Sequence, residues 1–157
     1  MVTAIIVAAG KSERMGAGTD KAFLNLGPKP VVAWSLLAFE RCADVDQIVL
    51  VVRKDQLIAA KAVVRMFGIS KVRAVVAGGA KRQDSVMNGL KELDVDTRFV
   101  VVHDGARPCV RPETISEVVK LSRRARRPTR RSGRRYSHGC HREPRRLDPF
   151  NLALTPS

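Results

Sequence analysis

The chain has 157 residues, 45% of them hydrophobic, enough for one ordinary domain with a real core. Its net charge of +14 is unevenly placed: residues 1–120 hold 18 Lys/Arg against 13 Asp/Glu, whereas residues 121–157 hold 11 Arg, no Lys and two acids, Glu143 and Asp148. No run reaches the roughly 18 apolar residues of a membrane span, no basic flank marks a secretory signal, and Cys42, Cys109 and Cys140 are widely spaced, which argues against a membrane protein or a disulfide framework and for a cytoplasmic protein with reduced thiols.

Thr3–Ala8 is apolar almost throughout and reads as a central strand covered on both faces. It stops in Ala8-Ala9-Gly10 and gives way to the charged stretch Lys11-Ser12-Glu13-Arg14-Met15-Gly16, with Lys21 further on. Gly27-Pro28 signals a turn, and Pro30 suits the first position of a helix running to Arg41, with Val32, Ala33, Leu36, Leu37 and Phe39 toward one face. A second strand is expected over Gln47–Val52, then a helix over Asp55–Phe67 stopped by Gly68. A third strand, Val72–Val76, closes in Ala77-Gly78-Gly79, and Asp84–Leu93 reads as a helix. A fourth strand, Arg98–Val102, leads into His103-Asp104-Gly105-Ala106-Arg107-Pro108, and Pro112-Glu113 opens a last helix to Leu121.

This alternation predicts an α/β, Rossmann-like fold with a mostly parallel sheet and helices on both faces. Ligands of such sheets bind beyond the carboxyl ends of the strands. The loops there are AAGKSERMG, AGGAKRQDS and HDGARP, and all three carry groups suited to a nucleotide. After Leu121 the apolar periodicity fails, so the chain divides into a domain over 1–121 and an Arg-rich tail over 122–157 expected to be disordered.

The first loop is neither a Walker P-loop nor a dinucleotide fingerprint. It has the form AAG-x4-MG, with Lys21 following. Small residues let a ligand approach the backbone, and the N–H groups of Ala9 to Ser12 with Lys11, Arg14 and Lys21 suit a triphosphate. On spacing alone, an ordinary strand-to-helix connection with solvated charges is an equal alternative. Asp104, just past a buried strand, reads as a metal ligand or a helix cap. Arg82 and Ser85 read as ligand contacts or, with Asp84, as part of the start of the next helix. His103 reads as a packing or hydrogen-bonding residue, not a base. The tail's arginines would bind polyanions non-specifically, though Tyr136 and Phe150 are its only aromatics for base stacking. His138, Cys140 and His141 are too crowded to close a tetrahedral metal site.

Taken together, the opening loop, AGGAKRQDSVMNGL (77–90) and VVHDGARPCV (101–110) resemble the nucleotidyltransferases that activate sugar and alditol phosphates. More narrowly they resemble the 2-C-methyl-D-erythritol 4-phosphate cytidylyltransferases of non-mevalonate isoprenoid synthesis, from about residue 2 to residue 121. The guanylyltransferase of molybdenum cofactor synthesis shares the style of the opening loop but not the other two motifs. The resemblance implies transfer of CMP from CTP to 2-C-methyl-D-erythritol 4-phosphate with release of pyrophosphate. It implies that Ala8, Ala9, Gly10 and Lys11 wrap CTP, that Arg14 and Lys21 act on the phosphates as catalytic residues, and that Gly78, Arg82 and Ser85 line the cytosine and ribose pocket. Asp104 would hold Mg²⁺, Ala106 and Arg107 would flank the ribose and the acceptor, and the assembly would be a homodimer. A divalent ion and fixed cations are what an anion attacking a polyanion requires.

The resemblance also implies features that residues 122–157 do not offer: a continued sheet with a threonine-bearing strand, an arm reaching into the partner subunit, and a late lysine and arginine for the acceptor. The fold is therefore expected to be incomplete at its C-terminus, with weak or no activity and an exposed sheet edge. So sharp a break in composition points to a truncated or frame-altered product, which the coding DNA around residues 118–128 tests. Two other readings stand beside the first: a nucleotidyltransferase with another base or acceptor, and a non-catalytic polyanion-binding fragment.

Overall fold

The computed structural model describes residues 1–10 and 21–125. Lys11, Arg14 and the tail beyond Ala125 lie outside the described residues. Four parallel strands make one sheet in the order β5-β4-β1-β6: β1 (Val2–Ala8), β4 (Gln47–Val52), β5 (Val72–Ala77) and β6 (Phe99–Asp104). Two short strands, β2 (Asn25–Leu26) and β3 (Lys29–Pro30), form an antiparallel hairpin around Gly27-Pro28. The helices are α1 (Val31–Arg41), α2 (Leu57–Met66), α3 (Arg82–Lys91) and α4 (Pro112–Ala125).

β1 is central because it is apolar on both faces, and every one of its residues is buried. Ala4, Ile6 and Ala8 share one core with Leu36 and Phe39 of α1, Ala60 and Val63 of α2 and Ile115 of α4. Ile5 and Val7 share another with Val49, Val51 and, from α3, Val86 and Leu90. Three helices thus cover one face and α3 the other, as an alternating βα chain demands. The chain runs outward through β4 and β5, then crosses back to place β6 on the far side of β1. That reversal sits beside β1, where such sheets bind ligands.

The expected elements are all present, with shifts at their ends. Pro30 stands one position before α1, with extended ψ 149, because it belongs to the hairpin and pairs with Asn25. A short 3-10 turn (Lys54–Gln56) precedes α2. Gly68, at φ 61, ends α2: Gly68 N donates to Arg65 O and Ile69 N to Val64 O, the paired bonds of a left-handed helix stop. β6 runs on through His103 and Asp104, since the ladder with β1 continues to Val7↔Asp104. α4 passes Leu121 and reaches Ala125. Asp44 draws it on, accepting from the Ser116 hydroxyl and from Arg123 Nη1 (3.0 Å), with Lys120 Nζ at 3.7 Å. Among the described residues, no helix is long and apolar enough to cross a membrane, and Cys42 and Cys109 are free thiols.

Candidate functional site

Three connections meet at the carboxyl ends of the strands. The ladder carries two of them one step beyond the strands: Gly78 N donates to Val52 O (2.7 Å) and Gly105 N to Val7 O (2.8 Å). Both glycines then press on the end of β1. A Cβ on Gly78 would lie 2.3 Å from the Ala9 Cβ and 2.7 Å from the Ser85 Oγ, and a Cβ on Gly105 2.9 Å from the Ala8 Cβ. Real Cβ atoms do not approach so closely, so Ala8, Ala9, Gly78 and Gly105 must all be small for the loops to close around β1.

Arg82, the first residue of α3, reaches Asp104 at the end of β6. Its Nε and Nη2 both donate to Asp104 Oδ1, at 3.2 and 3.0 Å. Arg107 Nε stands 3.5 Å from Asp104 Oδ2. The side chains remain open to solvent, at 49% for Arg82, 34% for Asp104 and 60% for Arg107. Ala106 and Gly10 are also exposed.

The turn that presents Asp104 and Arg107 is held from beneath. Arg107 N donates to Asp104 O (3.0 Å). The Ser35 hydroxyl lies 3.2 Å from both Gly105 O and Arg107 O. His103 packs its ring on Phe39 at 5.2 Å between centroids, and its Nε2 lies 3.2 Å from Arg107 O. Burial pulls the His103 imidazole below its ordinary pKa, against the opposing pull of the Arg107 carbonyl and the Asp104 charge. A neutral ring must carry its proton on Nε2 to meet that carbonyl. His103 is thus a support of the turn, consistent with a packing and hydrogen-bonding residue.

The Gly78-Gly79 turn has its own brace. Ser85 is 2% exposed; its Oγ accepts from Gly79 N (3.1 Å) and donates to Lys81 O (3.2 Å). Asp84 accepts from Lys81 N (3.0 Å), and Asn88 Nδ2 donates to Ala77 O (3.0 Å). Lys21 opens the 3-10 turn Lys21–Phe23 that packs against α1.

The structure therefore brings together Ala8, Ala9, Gly10, Gly78, Arg82, Ser85, Asp104, Ala106 and Arg107, while Lys11 and Arg14 fall outside the described residues. Of the set, Ser85 spends its hydroxyl on the protein's own backbone. Ser35 and Asn88 were not singled out as site residues. The signal for Ser35 was a hydroxyl on the apolar stripe of α1, between Val32 and Leu36, all three buried.

The donor set can be tested for a divalent cation. Among the described residues no three His, Cys, Asp or Glu side chains cluster as a metal cage. Asp104 is a single hard oxygen donor at a solvated strand end, with two guanidiniums beside it. That set fits an ion of the Mg²⁺ kind, which takes one or two carboxylates and draws its other ligands from phosphate and water. It does not fit a zinc or calcium cage.

The sequence profile of the family described as IspD, 2-C-methyl-D-erythritol 4-phosphate cytidylyltransferase, matches residues 2–129. The curated enzyme of that name from Dehalococcoides mccartyi is 46% identical over 122 residues, which cover 78% of this chain and 53% of the relative. The one from Alkaliphilus metalliredigens is 40% identical over 122 residues, covering 77% and 51%. The crystal structure of 4-diphosphocytidyl-2C-methyl-D-erythritol synthase from Anaerococcus prevotii matches with a TM-score of 0.67 and 30% identity, over 78% of this chain and 50% of that one. The chain thus spans about half the length of the curated relatives it matches. With the six strands and four α-helices of the described residues all inside the matched segment, the chain belongs to the 2-C-methyl-D-erythritol 4-phosphate cytidylyltransferase family.

Proposed function

We propose that residues 1–125 form the nucleotide half of a cytidylyltransferase, which transfers CMP from CTP to 2-C-methyl-D-erythritol 4-phosphate and releases pyrophosphate. The observation that carries this reading is the reach of Arg82 to Asp104, which joins the loop after β5 to the end of β6, the two loops whose Gly78 and Gly105 close on Ala9 and Ala8. Solvent-facing charge of both signs thereby stands at the small-residue end of β1. Family membership supplies the choice of CTP and of the alditol phosphate.

In this reading the backbone of Ala8 to Gly10, continued by Lys11, lies along the nucleotide. Arg14 and Lys21 hold the phosphates and meet the charge that builds up as the acceptor phosphate attacks. Asp104 holds Mg²⁺, which when bound offsets the charge of the reacting phosphates. Gly78 and Ser85 shape the base and ribose side, Ser85 by fixing the turn. Ala106 and Arg107 face the ribose and the acceptor. Because the nucleophile is already an anion, no general base is required, which suits a half-buried His103 committed to the Arg107 carbonyl.

In this reading the chain is cytoplasmic, and the acceptor half and dimer arm of the whole family protein have no recognisable counterpart in residues 122–157. The test is pyrophosphate release by the purified chain with CTP, Mg²⁺ and 2-C-methyl-D-erythritol 4-phosphate. Release that depends on the alditol phosphate and falls about 10²–10³-fold in Lys21→Ala supports the reading, that being the usual cost of one preorganised donor. CTP binding without release would leave a nucleotide half lacking its acceptor half. Preference for UTP or GTP would instead assign a different nucleotidyltransferase. Polyanion binding lost on deleting residues 126–157, with CTP affinity unchanged, would show that the arginine tail acts separately.

A further inference from the structure

Both oxygens of the Asp104 carboxylate are already engaged. Arg82 places two N–H groups on Oδ1 and Arg107 lies 3.5 Å from Oδ2. Among the described residues, every partner of this carboxylate is a guanidinium on a solvated side chain. Exposed pairs of this kind contribute little net stability, so they exchange readily. Two guanidiniums around one carboxylate also leave the site locally positive, which repels a free cation. A polyphosphate reverses that balance, because guanidinium forks match phosphate oxygens as well as carboxylates.

We propose that Arg82, assisted by Arg107, is a positioning residue that guards Asp104 against a free divalent cation and passes to the nucleotide phosphates when CTP arrives. Cation and nucleotide then bind cooperatively through the exchange of one arginine. The inference rests on reading Asp104 as the cation holder. The coupling is reciprocal, since whatever factor CTP adds to cation affinity the cation adds to CTP affinity.

The experiment is calorimetric titration of the full 157-residue chain with Mn²⁺ alone, and with CTP in the presence and absence of Mn²⁺. In the unaltered chain Mn²⁺ alone binds weakly and strengthens CTP binding within the usual range of about 5–150-fold. Arg82→Ala shifts the two readouts in opposite senses. Mn²⁺ alone binds about 3–10-fold more tightly, the size expected for removing one nearby charge in a partly solvated site, while the Mn²⁺ enhancement of CTP binding shrinks. A merely structural role for Arg82 would weaken both. Arg73→Ala removes the same charge near the opposite end of the sheet and leaves both unchanged.

Mn²⁺ affinity that is unchanged or weaker in Arg82→Ala overturns the exchange. The variant Asp104→Asn separates the two levels of inference. If it abolishes the Mn²⁺ effect while Arg82→Ala does not raise Mn²⁺ affinity, only the exchange fails. If Asp104→Asn leaves the Mn²⁺ effect intact, the reading of Asp104 as cation holder fails with it.

Discussion

The two ends of the sheet use the same residue types for opposite purposes. At the amino ends, Asp46 and Glu40 bind the chain's own backbone. Asp46 accepts from Val2 N (2.6 Å), and Glu40 accepts from Ser70 N (3.1 Å) and Lys71 N (3.0 Å). Those bonds fasten the α1–β4 connection to β1 and the α2–β5 connection to α1. At the carboxyl ends, Asp104 has guanidiniums for partners, and the backbone there is secured by Ser35, Ser85, Asn88 and His103, with Asp84 on Lys81 N. A carboxylate that holds backbone is committed to the fold. One that holds mobile cations can change partners, and only the second kind can serve a ligand.

The sharpest way to break this contrast is to neutralise one acid at each end. Asp104→Asn is expected to abolish the strengthening of CTP binding by Mg²⁺, and to lower any pyrophosphate release by about 10²–10³-fold, with the urea midpoint almost unmoved. Asp46→Ala is expected to do the reverse. It leaves the partly buried Val2 N without its acceptor and costs about 1–3 kcal/mol of stability, read from urea unfolding, with CTP affinity unchanged. Equal effects of both substitutions on stability would erase the distinction.

Gly78→Ala tests the packing between loops. Its Cβ would need the space of the Ala9 Cβ, and overpacking of this kind costs about 1–3 kcal/mol. Because the strain falls on the floor of the site, CTP affinity should drop along with the thermal midpoint. Ser35→Ala should have a smaller effect. It removes one hydroxyl contact shared by two carbonyls and costs about 1 kcal/mol, and Arg107-dependent binding should loosen in a CTP titration.

The smallest expected effect is in the pH dependence. His103 is held below its ordinary value of 6.5 in the folded chain, chiefly by burial. Unfolded molecules therefore take up a proton on this ring before folded ones do. Its contribution to stability is complete above about pH 6.5 and is lost as pH falls from there through the folded value. His103→Gln should flatten that part of a stability–pH curve. A curve of unchanged shape would remove His103 from the account.

Most of the fold was legible because the signals are local. The apolar run of β1 and the Gly68 stop mark themselves in sequence. Two of the shifted ends depend on distant partners. β6 extends to Asp104 because Val7 pairs with it, and α4 passes the change in composition because Asp44 lies alongside. The α3 helix begins at Arg82, since Asp84 reaches back to Lys81 N from inside the first turn. In the site, the motifs named residues that the structure places near one another but did not distinguish their tasks. Ala8 and Ala9 are small at least as much for Gly105 and Gly78 as for any ligand. The Arg82–Asp104 pair joins loops 22 residues apart, and no spacing rule announces it. Ser35 stayed hidden because its polar partners lie 70 and 72 residues away.

The most direct test of the account is to map CTP and Mg²⁺ onto the chain by the shifts of backbone amide resonances. Changes are expected to concentrate at residues 8–10, 78–82 and 104–107, with the amides of Val2, Ser70 and Lys71 at the opposite end undisturbed. Changes centred on those amino-end positions, or no change at saturating nucleotide, would contradict it.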